Sequence, residues 1–223
     1  PRVSKKHFKR NPKGKENLEN CRSAEIKCLE DLIAVLLGFR VLGRSGTHFL
    51  MNTLGLNFGY IARPWINLDW EYGLNYHNSE TWSWLFQGFG KSGVENIVKL
   101  HFEASFLLHK MAYIQKESTI FYIYRDPKAV MRSYYSFLLG LKWDEGPIAP
   151  SLSDFLRVEP GCAILRFQKK QERNMLTRWE THVRGWVLDM PEEYQKNIIY
   201  VRYEDLNENF DQTVRTIAER LGR

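Results

Sequence analysis

Short apolar stretches of strand character alternate with helical stretches long enough to cross over a sheet. This alternation restricts the fold of the 223-residue chain more than any other feature. Gly38–Leu42 reads as a strand and Thr47–Leu56 as the helix after it. Asn96–Phe102 reads as a second strand, followed by a helix over Glu103–Ile114. Thr119–Tyr124 is the strongest strand, rich in β-branched and aromatic residues. Pro127 then stands where a helix begins, in the first turn that suits its ring, and that helix runs to about Leu139. Arg173–Leu188 reads as a helix, Ile198–Val201 as a strand and Asp211–Leu221 as a closing helix. The pattern predicts an α/β fold, a three-layer sandwich with a central, mainly parallel sheet and helices on both faces.

The length suits a single α/β domain with a sizeable core. A 43% hydrophobic and 26% charged content is an ordinary globular balance. The net charge of +6 is unevenly placed. Arg2, Lys5, Lys6, Lys9, Arg10, Lys13 and Lys15 precede the first acid, and they outnumber the whole net charge, so the rest of the chain is close to neutral. The expected organisation is a basic N-terminal tail over 1–22 and one domain over 23–223. The tail could touch nucleic acid or anionic lipid, or stay a solvated terminus. The near-neutral domain gives no reason to expect nucleic acid to be needed for activity. Cys21, Cys28 and Cys162 have no metal spacing, and His109 and His182 complete no ligand pattern. Sparse, odd cysteines fit a reducing compartment. The longest apolar run, Leu32–Leu37 continuing to Phe39, is far short of the roughly 20 residues needed to span a bilayer. The first residues lack the apolar core of a signal peptide. A cytoplasmic protein is expected. The sequence does not define an oligomeric state.

Gly43-Arg44-Ser45-Gly46-Thr47-His48 lies between a strand and a helix, where backbone N–H groups and the helix dipole can hold a phosphate. The glycines allow tight turns and close approach of an anion. Ser45 and Thr47 add hydroxyls, and Arg44 adds a permanent charge. The ATP-type G-x-x-x-x-G-K-[ST] pattern is absent, because no Lys-Ser/Thr pair follows at that spacing.

With Phe49, this loop resembles the 5′-phosphosulfate loop of the cytosolic sulfotransferases, Lys-Ser-Gly-Thr-Thr-Trp. Arg44 stands at the lysine, Ser45, Gly46 and Thr47 match, His48 replaces the second Thr, and Phe49 replaces a Trp that stacks on adenine. Tyr124–Tyr135 is similar to the family's 3′-phosphate segment, Arg-Asn-Pro-Lys-Asp-Val-x-x-Ser-Tyr-Tyr, and keeps its Arg-to-Ser spacing in Arg125 and Ser133. Trp179-x-x-His182-Val183-x-Gly185-Trp186 resembles a family helix, and its three large residues at helical spacing are expected to pack in the core. Tyr203-Glu204-Asp205 resembles a later strand end, with Tyr203 near the adenine. The resemblance spans about 38–222 and implies a P-loop NTPase-like fold. It also implies a co-substrate, 3′-phosphoadenosine 5′-phosphosulfate (PAPS), bound by Arg44, Ser45, Gly46, Thr47, His48, Phe49, Arg125, Ser133 and Tyr203.

Lys99-Leu100-His101 resembles the family's Lys-Thr-His, and strand alternation puts Lys99 and His101 on one face. Transfer of a sulfuryl group to a hydroxyl needs a base for the acceptor proton, and histidine suits near-neutral pH. Its leaving group is a phosphate, so positive charge at the bridging oxygen stabilises the transition state. His101 is the expected base, with Lys99 and Arg44 as charge stabilisers. The resemblance implies in-line attack without a metal, giving 3′-phosphoadenosine 5′-phosphate as product. Arg44 departs from the family lysine because it carries a fixed planar charge and cannot act as a proton donor. The family's later Arg-Lys-Gly lid has no counterpart before Arg223. A nucleotide-holding relative without turnover is therefore a second reading, and an ATP-dependent phosphotransferase a third.

Aromatic residues crowd Tyr60–Phe89, among them Trp65, Trp70, Tyr72, Tyr76, Trp82 and Trp84, interleaved with Asn75, His77 and Asn78. In the family the corresponding stretch lines the acceptor side, where a phenol, a steroid-like body or a sugar face could stack. The expected acceptor is a small molecule or a glycan. The basic stretch Arg166, Lys169, Lys170, Arg173 and Arg178 reads mostly as a solvated helix face.

Overall fold

The computed structural model describes residues 36–38, 45–68, 75, 78–90, 96–140, 146–167 and 170–223. All of them belong to one compact unit, Leu32–Arg223. The basic stretch over 1–22 lies outside the described residues.

Five strands form one sheet: β1 (Leu36–Gly38), β2 (Ile61–Asn67), β3 (Asn96–Leu100), β4 (Ile120–Tyr124) and β5 (Ile198–Arg202). Their order is β2-β3-β1-β4-β5, and every pairing is parallel. The expected parallel α/β sheet is therefore present. Leu37 of β1 is opposite Lys99 on one side and Phe121 on the other. Ile120, Phe121, Tyr122 and Ile123 are all buried in succession, so both faces of the sheet are covered. The chain runs from β1 to β2 and β3 on one side and then to β4 and β5 on the other. The carboxyl end of β1 is thus the point where the winding direction reverses, the usual ligand position in such sheets.

The helices are α1 (Thr47–Phe58), α2 (Ser79–Gly90), α3 (Ala104–Leu107), α4 (Met111–Glu117), α5 (Pro127–Gly140), α6 (Leu152–Arg157), α7 (Met175–Val187), α8 (Glu192–Gln195), α9 (Tyr203–Glu208) and α10 (Phe210–Arg220). None of the described helices is long and apolar enough to cross a membrane.

Local chemistry explains where the elements depart from the sequence reading. The first strand begins at Leu36, and 39–42 lie outside the described residues. The β3 ladder stops at Leu100, before His101 and Phe102. The helix expected over 103–114 is broken by a 3-10 turn at Leu108–Lys110, where none of the three side chains is buried. The helix expected from Arg173 starts at Met175 because Asn174 caps it. Asn174 Oδ1 accepts from the Thr177 N–H at 2.8 Å, and Thr177 Oγ1 accepts from the Asn174 N–H at 3.0 Å. Strand β2 and helix α2 were not expected. Pro64 falls within β2, which tolerates it as an edge strand whose register against β3 shifts between Ile61 and Ile66.

The core centres on β4 and α7. The Tyr122 ring stacks on Trp186 with centroids 5.4 Å apart and on His182 at 6.0 Å. The Trp186 Nε1–H donates to the Phe102 carbonyl at 3.0 Å, and the Tyr200 hydroxyl donates to the Trp186 carbonyl at 2.8 Å. His182 and Trp186 are fully buried, as the sequence reading of this helix expected, whereas Trp179, expected with them, is only half-buried against the core.

Candidate functional site

A cleft of about 240 Å³ opens at the carboxyl side of the sheet. Its walls are Gly46, Thr47, His48 and Phe49 from the start of α1, Lys99 and His101 from the end of β3, Arg125 and Ser133 from the β4–α5 corner, and Tyr203 after β5. These are all sequence-named site residues except Ser45 and Arg44. Ser45 is fully buried beside them, and its hydroxyl has no hydrogen-bond partner among the described residues. Arg44 lies outside the described residues.

The loop enters α1 through Gly46, whose φ of 95° is left-handed. The Leu50 N–H donates to the Gly46 carbonyl at 3.0 Å and closes the first turn. The N–H groups of that first turn have no carbonyl to meet within the helix, and the residues that carry them, Gly46 to Phe49, line the cleft at the positive end of the helix dipole. A Cβ at Gly46 would collide with the Tyr203 ring. Glycine is therefore required twice over, by backbone conformation and by the ring against it. The same ring carries the Arg125 guanidinium, 4.1 Å from its centroid.

Asp126 caps α5, its Oδ1 accepting from the Ala129 N–H at 2.9 Å. The Asp126 N–H in turn donates to Glu204 Oε1 at 3.0 Å, and Arg202 Nε pairs with Glu204 Oε2 at 3.2 Å. Glu204 thus ties the ends of β4 and β5 together, a role the sequence did not reveal. A second cleft, about 450 Å³, shares Arg125 and Ser133 and adds Ala129, Arg132, Ser136 and Phe137. Phe49 stacks on Phe210 at 6.1 Å with an interplanar angle of 11° and meets Tyr203 edge-on at 6.3 Å. Phe210 is therefore a further aromatic beside the cleft that sequence reasoning missed.

Lys99 and His101 are both buried and both line the cleft, in keeping with their shared strand face. Behind them stands α7. Burial, then the Arg178 guanidinium and His101, hold the His182 imidazole well below its ordinary 6.5, while the backbone of His101 and Phe102 pulls the other way. The buried Arg178 pairs with Glu103 at 3.9 Å. Burial lowers the Arg178 pKa, and Glu103, Tyr134 and Glu172 oppose that shift. This corrects the solvated-face reading for Arg178. It lies on the same helix face as His182 and Trp186, and that face is turned into the core. Lys170 and Arg173 are exposed but precede the helix, which starts at Met175, and Lys169 lies outside the described residues.

Of the aromatic stretch, Tyr60, Trp82 and Phe86 belong to the core, and Trp84 is 66% exposed. Asn78 accepts from the Glu80 N–H at 2.9 Å and caps α2. Trp70, Tyr72, Tyr76 and His77 lie outside the described residues.

Two outcomes follow from this geometry. Gly46→Ala is expected to destabilise the fold by more than the roughly 1–2 kcal/mol of a left-handed backbone alone, because the ring of Tyr203 must also move. Urea unfolding reads this, and wild-type stability in the variant would remove the close contact. His182 is neutral in the fold, whereas the unfolded chain takes up a proton there below about 6.5. Stability is therefore complete above that pH and falls as pH drops below it, by up to about 1.4 kcal/mol per unit from this group. His182→Gln should flatten the curve between pH 6.5 and 5 by that slope, and an unchanged slope would contradict the buried neutral state.

The family model described as the sulfotransferase domain matches residues 70–223. Mouse Sulfotransferase 2B1 is 28% identical over 118 residues, which are 52% of this chain and 30% of that protein. Human Sulfotransferase 2A1 is 25% identical over 116 residues, 52% of this chain and 35% of that protein. These matches therefore take in about a third of each curated relative. The crystal structure of mouse sulfotransferase SULT7A1 complexed with PAP aligns with a TM-score of 0.50 and 16% identity, covering 89% of this chain and 62% of that one. At that identity the likeness is one of fold. With the family model covering more than half of its residues, the chain belongs to the sulfotransferase family.

Proposed function

We propose that the chain binds PAPS and transfers its sulfuryl group to a hydroxyl or amine of a small-molecule or glycan acceptor. The observation that carries this reading is the convergence on one cleft of segments far apart in sequence: the start of α1, the ends of β3 and β4, and the residue after β5. Each brings a group suited to one part of the donor. The first turn of α1 and the buried Ser45 hydroxyl, without a hydrogen-bond partner among the described residues, suit the 5′-phosphosulfate. Arg125 and Ser133 suit the 3′-phosphate. The Phe49–Phe210 pair and Tyr203 offer flat surfaces to the adenine. PAP, the ligand of the SULT7A1 structure, is the product such a donor would leave.

In the proposed reaction His101 takes the acceptor proton. The acceptor oxygen or nitrogen bonds to sulfur while the bond from sulfur to the 5′-phosphate oxygen breaks. That oxygen departs with the electron pair as part of 3′-phosphoadenosine 5′-phosphate. Lys99 and Arg44 neutralise the charge that develops there. The buried position of Lys99 strengthens its field on the leaving oxygen.

Thermal-shift measurements with adenosine 3′,5′-bisphosphate, ATP and ADP test the donor class, since a ligand of the folded state raises its stability. Stabilisation by ATP and none by the bisphosphate would overturn the proposal. Arg125→Ala and Ser133→Ala should each weaken the bisphosphate by about 1.5–3 kcal/mol and leave adenosine 5′-phosphate nearly unaffected. Equal losses for both nucleotides would remove these residues from the 3′-phosphate. His101→Ala should slow transfer from labelled PAPS by about 10²–10⁴-fold with nucleotide affinity retained. Full turnover by the folded variant would take His101 out of the mechanism.

A further inference from the structure

We infer that Arg132 is a second cation for the 3′-phosphate of the donor, and that it helps to select a 3′-phosphorylated nucleotide. The inference rests on the proposed reading that Arg125 and Ser133 hold that phosphate. Arg132 is not among the residues that the family resemblance assigns to the donor.

Helix α5 carries two stripes. Val130, Met131, Tyr134 and Leu138 are buried in the core. Ala129, Arg132, Ser133, Ser136 and Phe137 recur at three- and four-residue steps and form the second stripe. With Arg125, that second stripe lines the cleft of about 450 Å³. At 1.5 Å per residue the stripe is about 12 Å long, so the cleft has room beyond the phosphate itself. Arg125 and Ser133 line both clefts, whereas Lys99, His101 and the start of α1 line only the one of about 240 Å³. The larger cleft therefore adjoins the 3′-phosphate position and not the position of the transferred group. An acceptor that reacts beside His101 does not need it.

Charge sets the class of ligand. Two guanidinium groups line the larger cleft, and no acid is among its described walls. The Arg132 guanidinium has no hydrogen bond or ion pair among the described residues. Lys128, four residues earlier on the same helix, adds a further like charge. The Ser133 hydroxyl also makes no hydrogen bond among the described residues. Ser136 differs, because its hydroxyl already donates to the Arg132 carbonyl at 3.1 Å. Like charges at one cleft repel, and an anion between them replaces one repulsion with two attractions. A phosphate monoester suits the place, since its several oxygens can take the planar forks of two arginines and a hydroxyl at once. Arg132 is exposed, so solvent and salt weaken its share relative to that of the half-buried Arg125.

The test is calorimetric titration of the whole chain with adenosine 3′,5′-bisphosphate and with adenosine 5′-phosphate, at low and at high salt. Arg132 stands outside the core stripe, so substitutions there leave the packing alone. Arg132→Ala is expected to weaken the bisphosphate about three- to tenfold at low salt and to leave adenosine 5′-phosphate unchanged. It should also flatten the salt dependence of bisphosphate binding. Arg132→Lys keeps the charge without the fork and should recover part of the loss. Unchanged bisphosphate affinity in Arg132→Ala would overturn the inference, as would an equal loss for both nucleotides. A raised KM for 2-naphthol in transfer from labelled PAPS, with bisphosphate affinity unchanged, would move Arg132 to the acceptor and overturn it too. Arg125→Ala separates the inference from the reading beneath it. If Arg125→Ala loses the preference for the bisphosphate and Arg132→Ala keeps it in full, the inference fails alone. If Arg132→Ala loses that preference and Arg125→Ala keeps it, the Arg125 assignment fails and the inference stands. Equal affinity of the unaltered chain for both nucleotides would overturn both.

Discussion

The ring of Tyr203 touches both the backbone of Gly46 and the guanidinium of Arg125, and the shape of the cleft depends on those contacts. The contact with Gly46 is so close that only a residue without a side chain fits. The Arg125 cation sits over the ring, an arrangement worth about 0.5–2 kcal/mol according to its exposure. The start of α1 and the residues after β4 and β5 are thereby joined at one aromatic ring. Glu204 adds a second tie through the Asp126 N–H and Arg202.

The sheet was legible because its central strands are covered on both faces. Thr119–Tyr124 shows this as an unbroken run of β-branched and aromatic residues, and the burial of Ile120–Ile123 is its physical cause. Strand β2 was not legible, because Pro64 argues against a strand and only an edge position with an irregular register admits it. Helix α2 was hidden by its glycines and aromatics, which are poor helix formers, although Asn78 does cap it.

The cleft lining was legible where two of its residues share a short segment, as Arg125 and Ser133 do, or where strand alternation pairs Lys99 with His101. It was not legible where the partners come from distant segments. Phe49 meets Phe210, and Asp126 meets Glu204, only once β4 and β5 lie side by side. Arg178 shows the same limit in reverse. In sequence it closes a run of cations and reads as solvated, whereas its counter-charge, Glu103, comes from the far side of the sheet sequence. A charge pattern read along the chain cannot reveal a partner that only the fold supplies.

The parallel pairing of β4 with β5 also bears on how the molecule is made. The two strands are separated by four described α-helices, α5 to α8, and pair over five residues, from Ile120↔Ile198 to Tyr124↔Arg202. Contacts this distant form slowly, because a long loop must close before any of them is gained. Until β5 docks, β4 offers an unpaired edge of Ile120, Phe121, Tyr122, Ile123 and Tyr124, uncharged and without proline. Such an edge can recruit another chain as readily as its own last strand. The same pairing places Tyr203 beside Gly46, so the contact that covers the β4 edge also completes the cleft wall.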